Sequence, residues 1–426
     1  MSIGYACIIT SRPDLRFSTC RLSNASKERL NEIMVGNVAV LDKMIDFNIK
    51  NQISLFRISS DVIPFATHPI NGIDWQFKYA EQLTKIGLKI KKAGLRVSMH
   101  PGQYTVLNSP HQEVVSRAIA DIHYHAEFLN ALGLDYTHKI ILHIGGAYGD
   151  KSLAQDRFIN NVKYLDSSAK KRLVIENDEK IYSVRDVLNI GMKTGNPCIF
   201  DILHHNLNLP SEKKSIVNWI DLFCQTWQEM DGIQKIHYSQ QDGSKRRGAH
   251  SRTIQHREFL DFYHSLNSPD IDIMLEVKDK EISAIKCINL LMHDASRDKL
   301  LQEWHRYRFL VMSRSKGVYD AINRKLVANS DLNMLEFYDF VEDALSKPIQ
   351  SKQLQQAILS VWSSLEDGAT AAEKKRFSLL LLKMNEDKQF KLKMIKWLFA
   401  VSLRQEKTDI CESYLFLSEY LAIHQN

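Results

Sequence analysis

The sequence predicts an α/β fold: a (β/α)8 TIM barrel followed by an all-helical C-terminal extension. Three observations carry this. Eight short β-rich runs alternate with amphipathic helical patterns through the first two-thirds of the 426 residues, the arithmetic of such a barrel. No Gly-x-Gly-x-x-Gly fingerprint follows the first run, which argues against a doubly wound open sheet. From about residue 295 no convincing strand remains, and the apolar spacing is helical throughout.

In chain order the predicted strands are "IGYACI", "LFRISSD", "LRVSMH", "KIILHIGG", "RLVIEN", "PCIFDI", "KIHYS" and "DIMLEV". Helical periodicity falls between them at 27–48, 74–93, 111–132, 152–166, 183–192, 212–229 and 255–266, with an eighth helix at 281–293. The barrel domain is therefore assigned to 1–298 and the helical domain to 299–426. Their join is soft, between 295 and 320, because no Pro/Gly/Ser-rich linker marks it. In the second domain "LQEWHRYRFLVMSR", "MLEFYDFVEDAL", "SKQLQQAILSVWSSLED", "AAEKKRFSLLLLKM", "FKLKMIKWLFAVSLRQ" and "DICESYLFLSEYLAI" read as amphipathic helices.

Hydrophobic residues make up 44% and charged residues 25%, ordinary for a globular protein able to bury a large core. The net charge of +6 is compatible with a polyanionic partner but carries little weight alone. Six cysteines without a Cys-x-x-Cys spacing indicate a reduced, cytoplasmic chain. The N-terminus lacks the basic segment of a signal peptide, and the apolar run at "MIKWLFAVSL" is too short to span a bilayer.

In a TIM barrel the chemistry sits at the C-terminal strand ends. Those ends are rich in ligating groups. The second strand runs on to His68, the third ends at His100, and the fourth carries His143. The fifth ends at Glu176, the sixth at Asp201 with His204 one helical turn further. The seventh holds Lys235 and His237 on one face, followed by His250 in the next loop, and the eighth ends at Glu276. Singly, a strand-end histidine is more often a hydrogen-bonded structural residue, and a lone glutamate a cap or ion-pair partner. Together they must converge on one mouth, where burial without a cation would cost several kcal/mol each. Nitrogen and oxygen donors without thiolate suit Zn2+, Mn2+ or Fe2+, and their number calls for two or three ions with Glu176 bridging a pair. The loop "DGSKRRGAHSR" places Lys245, Arg246, Arg247 and Arg252 around His250, where phosphates would approach. Tyr5, at the end of the first strand, is expected to face the same mouth.

The segments "GYACI", "FRISSDVIPFATHP", "SMHPGQYTVLNSP", "ILHIGGAYGDK", "RLVIENDE", "DILHHNLN", "KIHYSQ" and "MLEVKDKE" resemble, in order, those of the UV damage endonuclease family over residues ~1–315. The resemblance implies a metal-dependent DNA repair enzyme that nicks damaged duplex immediately 5′ to cyclobutane pyrimidine dimers and 6-4 photoproducts. Abasic sites are a further implied substrate, and the ends left are a 3′-hydroxyl and a 5′-phosphate. It implies manganese as the metal, with zinc or magnesium as alternatives. His100, His143 and Glu176 match one ion's ligands; Glu176, Asp201, His237 and Glu276 a second; His204 and His250 a third. His68 and Lys235 also match family site positions, Lys235 as a lysine that can be carboxylated. Glu176 and Lys235 are the expected catalytic residues. Gln103 and Tyr104 match the pair that fills the duplex where a lesion has left the stack, and Tyr5 a tyrosine lining the lesion site.

Three rivals stand beside this reading: an endonuclease IV-like enzyme for abasic sites, a divalent-metal sugar isomerase, and a catalytically dead DNA-binding or scaffold protein. The Gln103–Tyr104 pair, the basic loop and the full donor set favour the first reading over each of them. The tail resembles a YbgA-like helical domain of unestablished function, with three roles open to it: docking a repair partner, supporting DNA binding, or only stabilising the barrel. A monomer is expected.

Overall fold

The computed structural model describes residues 1–268, 270–292, 296–328, 332–384 and 388–417. The chain forms two compact units. One comprises Met1–Ile9 and Asp14–Cys287; the other comprises Thr10–Pro13 and the chain from Ile288 onward.

The first unit is a closed parallel barrel in which each strand pairs with the next and the eighth returns to the first. Its strands are β1 (Ile3–Ala6), β2 (Leu55–Ile58), β3 (Arg96–Met99), β4 (Lys139–His143), β5 (Leu173–Glu176), β6 (Cys198–Asp201), β7 (Lys235–Tyr238) and β8 (Asp272–Leu275). All eight predicted strands are present. The helices of this part of the chain are α1 (Lys27–Lys50), α2 (Trp75–Lys78), α3 (Ala80–Lys92), α4 (Gln112–Ala131), α5 (Lys151–Val162), α6 (Ser167–Arg172), α7 (Val184–Thr194), α8 (Ile202–Leu207), α9 (Ile216–Cys224), α10 (His256–Ser265) and α11 (Glu281–Leu291).

The helix predicted over 74–93 is two. Tyr79 leaves helical geometry (φ −110°, ψ 16°), and its buried hydroxyl donates to Asn31 Oδ1 at 2.9 Å. The short α6 escaped the sequence reading, and α8 was read only as the single turn that carries His204, because six residues are too few for periodicity to register. The longer helices follow their patterns. Ser26 caps α1 by accepting from the Arg29 N–H, and Leu30, Ile33, Met34, Val38, Leu41 and Ile45 form its buried stripe.

Alternate strand residues fill the barrel interior. Ala6, Leu55 and Met274 pack in one cluster, and Ile141, Val174 and Ile199 in another. The strand starts bring in charge, since Arg96 of β3 pairs with Asp272 of β8 at 2.8 Å. Gly4 is there because no side chain fits: a Cβ would come within 1.8 Å of the Leu55 carbonyl oxygen on β2. The same alternation sends Tyr5, between Gly4 and Ala6, away from the interior. It is fully buried, 2.8 Å from Asn48 Oδ1 of α1 and beside Phe56. The expectation that Tyr5 faces the mouth is thus corrected by the two-residue period of the strand.

The second unit contains α12 (Arg297–Arg314), α13 (Lys316–Val327), α14 (Met334–Ser346), α15 (Ser351–Ser363), α16 (Ala371–Lys383), α17 (Lys388–Arg404) and α18 (Thr408–Cys411). Its apolar core includes Phe309, Ile358, Val361, Phe377, Met394 and Leu398, with Trp362 stacked on Phe377 at 4.2 Å and 7°. A buried Glu303–Arg306 pair at 2.8 Å also accepts the Tyr338 hydroxyl on Glu303 at 2.9 Å. The sequence reading missed α13, although Val318, Ile322 and Leu326 form a buried i, i+4, i+8 stripe there. The helix expected from "DICESYLFLSEYLAI" is realised only as α18 and a 3-10 turn at Tyr414–Leu417; its remainder lies outside the described residues.

Candidate metal centre

The strand ends converge as their sequence implied. Glu176 closes β5 and is 1% exposed. One carboxylate faces four imidazoles. Its Oε1 is 2.6 Å from His237 Nδ1 and 4.0 Å from His204 Nδ1; its Oε2 is 3.3 Å from His100 Nε2 and 3.6 Å from His143 Nε2. Asp201 ends β6 fully buried and caps α8, its Oδ1 accepting the His204 N–H at 2.7 Å. The short α8 is therefore what returns His204 over the mouth. Glu276, just past β8, lies 3.4 Å from His237 Nδ1.

Three overlapping groups have donor atoms mutually within 4.8 Å: His100, His143 and Glu176; Glu176, Asp201 and His204; Asp201, His237 and Glu276. The first is the expected trio. In the second, His204 joins Glu176 and Asp201, whereas the sequence reading paired it with His250; the third holds Asp201, His237 and Glu276 without Glu176. His250 follows at the rim, its ring 6.5 Å from that of His204.

The residues fit divalent cations on their own chemistry. Glu176 Oε2, Asp201 Oδ2 and His143 Nδ1 are buried with no hydrogen-bond partner among the described residues. Such orphans are costly unless a ligand satisfies them. Three histidines are also oriented from behind. His100, His204 and His250 each set Nδ1 against a main-chain oxygen, of Pro101, Asn177 and Glu276 respectively, which leaves Nε2 free as a donor.

Protonation follows the same geometry. Burial would raise the Glu176 carboxyl, but His237, His143 and His100 outweigh it and hold it well below the usual carboxylate range. Burial pushes the His100 imidazole down to about 4, so it is neutral and ready to ligate. Burial would lower His204 too, yet Asp201, Glu176 and Glu276 hold it up at about 9. Ligation through His204 must therefore expel a proton. Apparent affinity for Mn2+ is expected to rise about tenfold per pH unit below about 9 and to level off above it. Chelator competition across that range checks this; a pH-independent affinity would show that His204 takes no part.

A cleft of about 390 Å³ opens over these groups, lined by His100, Gln103, His143, His204, Arg246 and His250. Thr105 N donates to Gly102 O at 2.9 Å, closing a turn with Gln103 and Tyr104 at its corners. Thr105 Oγ1 anchors that turn on Asp121 of α4. Gln103 is exposed and Tyr104 is 75% exposed, in contrast to the ordinary fate of a tyrosine. On the other rim, Gln241 bridges His250 in a short hairpin that carries exposed Lys245, Arg246 and Arg247, with half-buried Arg252 beyond it.

The family model for UV-endonuclease UvdE matches residues 1–303. The chain belongs to that family. A UV DNA damage endonuclease of Clostridium perfringens is 41% identical over 89% of this chain and 92% of its own. One of Bacillus cereus is 33% identical over 64% of this chain and 86% of its own. The crystal structure of SacUVDE superposes with a TM-score of 0.64 at 40% identity, covering 68% of this chain and 98% of that one. The family expected from the strand-end motifs is the family found.

Two expectations about this UvdE-family site need restating. His68 lies outside the three donor groups, on the exposed loop after β2, where its Nδ1 accepts the Ile70 N–H at 3.1 Å. Lys235 opens β7 fully buried, two residues below His237, and its Nζ has no hydrogen-bond partner among the described residues. Burial and Arg96 push its ammonium well below the ordinary lysine range, against the pull of Asp272. Sequence reasoning missed Arg57. Its Nη2 donates to Glu276 Oε1 at 2.6 Å and sits 2.9 Å from His237 Nε2. The available signal was parity: Arg57 of "LFRI" shares an inward face with Leu55. Asn177 was also missed. It bonds the Asp201 backbone on both sides, at 2.9 and 3.1 Å, and fixes β6 beside β5.

Among the described residues, no helix is long and apolar enough to cross a membrane.

Proposed function

We propose that this UvdE-family chain is a metal-dependent endonuclease that nicks duplex DNA immediately 5′ to cyclobutane pyrimidine dimers and 6-4 photoproducts, and at abasic sites. The observation carrying the proposal is the sharing of buried Glu176 and Asp201 among three donor groups, beneath an exposed Gln103–Tyr104 turn and a basic hairpin. The names of the relatives support the substrate class.

His100, His143, Glu176, Asp201, His204, His237 and Glu276 would hold two or three divalent ions, with His250 at the rim and manganese the metal the family suggests. When bound, the ions supply Lewis-acid stabilisation of the phosphoryl oxygens and lower the pKa of the attacking water. The chain's own residues do the rest. Lys245, Arg246 and Arg247 receive phosphates, and Arg252 extends that basic edge. Gln103 and Tyr104 occupy the gap left in the duplex, so a lesion already weak in stacking leaves it at lower cost than sound bases. Glu176, an anion throughout the neutral range, accepts hydrogen bonding from the attacking water. Attack forms a new P–O bond and breaks the bond to the 3′-oxygen, leaving a 3′-hydroxyl and a 5′-phosphate. Lys235, without a hydrogen-bond partner among the described residues and shifted toward the neutral amine, is suited to add its nitrogen to CO2 and release one proton to solvent, giving a carbamate that would add an anionic ligand beneath His237.

A nicking assay on irradiated supercoiled plasmid, with and without EDTA and with manganese restored, tests the reading. Nicking that vanishes with the chelator and returns with manganese is expected; activity on depurinated plasmid alone would favour the endonuclease IV-like alternative. Tyr104→Ala is expected to cut discrimination between damaged and intact duplex about tenfold, the scale of one lost stacking contact. Competition binding measures it, and an unchanged ratio would leave Tyr104 a rim residue only.

A further inference from the structure

We infer that the α16–α17 pair is a second surface for duplex DNA, holding the phosphate backbone by charge without reading sequence or damage. The inference rests on the reading of the protein as a DNA nuclease. Between Ala371 and Arg404 the chain carries nine Lys and Arg against three Asp and Glu, a surplus of six that equals the net charge of the whole chain. Outside this segment the sequence is balanced. The basicity that looked unremarkable as an average is therefore concentrated on one helical hairpin.

The structure exposes six of these charges on the two helices and sets three of them beside aromatic rings of α17. Lys374, Lys375, Arg376 and Lys383 on α16, and Lys393 and Lys396 on α17, are exposed. Among the described residues none of the six lies within ion-pair distance of a carboxylate, whereas Arg404 nearby is paired with Glu373 at 2.7 Å. Cations of the two helices meet over one ring, that of Phe390. Lys383 and Lys393 stand 5.5 and 4.9 Å from the Phe390 ring, and Arg376 stands 5.9 Å from that of Trp397. Phe390 and Trp397 are two turns apart on one face of α17, so the charges line up along it. The base is rigid, since Trp397 packs against Trp362 at 5.7 Å within the core.

A basic helix face is often only solvated. Here the unpaired charges are gathered from two helices beside aromatic faces, as a polyanion with a charge every ~1.7 Å requires. A membrane surface fits less well. Phe377 and Met384 of α16, and Met394, Trp397 and Leu398 of α17, are buried in the unit's own core, which leaves Leu379 and Leu382 as the exposed large apolar side chains of α16, too few to seat a helix in a bilayer. Such a surface would hold the enzyme on undamaged DNA and leave lesion recognition to the barrel.

The test compares the full chain with its K374Q/K375Q/R376Q/K383Q/K393Q/K396Q variant, each checked for fold by circular dichroism. Binding to an undamaged duplex of about 30 bp is measured by fluorescence anisotropy across about 50–200 mM salt. The variant is expected to lose about 0.9 from the log–log salt slope per phosphate contact removed, roughly three or more in total, and to bind at least about tenfold more weakly. Its nicking rate at saturating irradiated duplex should stay within about twofold of wild type, because none of the six lies among the strand-end donors. The corresponding Lys→Arg variant should keep both slope and affinity. If the sixfold variant does not fold, K374Q/K375Q/R376Q and K393Q/K396Q, tested separately, should each lose part of the slope. A wild-type slope in the folded variant would overturn the inference, as would loss of binding to phosphatidylserine vesicles with duplex binding intact. Failure of the wild-type chain to nick irradiated duplex would instead overturn the nuclease reading, whatever the slopes.

Discussion

Glu176→Gln is expected to abolish nicking of irradiated plasmid, by at least about 10³-fold, while leaving binding to damaged duplex within a few-fold of wild type. The side chain's position dictates the size of the effect. A single carboxylate faces His100, His143, His204 and His237 within 4.0 Å and belongs to two of the three donor groups. An amide keeps the shape but removes the negative charge and one acceptor oxygen, so it cannot hold two cations at once. Duplex binding, by contrast, depends on residues of the rim. The measurement is single-turnover nicking beside equilibrium binding. Nicking near the wild-type rate would remove Glu176 from the centre.

Arg57→Ala should produce the second large effect, in stability and activity together. Arg57 is 7% exposed and spans Glu276 and His237 at 2.6 and 2.9 Å. Removing it leaves the half-buried Glu276 carboxylate without its cation and His237 without its neighbour, which costs about 2–3 kcal/mol in the metal-free protein. It also frees two donors to reorient, and loss of such outer contacts costs about 10–100-fold in metal affinity or activity. Thermal unfolding of the metal-free variant and manganese titration of the folded one measure the two effects. Saturating manganese should recover part of the lost stability, because the ions then supply the missing positive charge. A variant as stable and as active as wild type would show that Arg57 only fills space.

Much of the centre was legible because strand and chemistry coincide. An apolar run that ends in His, Glu or Asp announces both a buried strand and a group that burial should penalise, and six of the named donors were read that way, with His204 following one turn after Asp201. Arg57 was hidden by its position inside a strand, where an arginine reads as an edge residue until its facing carboxylate is known. Tyr5 was misread because proximity to a strand end was given more weight than alternation. His68 lies in a loop, and nothing in its sequence spacing fixes where that loop folds. The helices missed or read only in part have physical reasons too: α6 and α8 are short, and the buried stripe of α13 is only three residues wide. The concentration of charge in α16–α17 could be counted from the sequence, but the placing of Arg376, Lys383 and Lys393 beside the rings of α17 could not.

The most direct test of the central claim is anomalous diffraction at the manganese edge from crystals grown with Mn2+. Two or three peaks at the C-terminal mouth of the barrel are predicted, with Glu176 touching two of them and each peak held by His, Asp or Glu atoms at about 2.0–2.3 Å. A mouth without anomalous density, in crystals of protein that nicks irradiated DNA, would contradict the account.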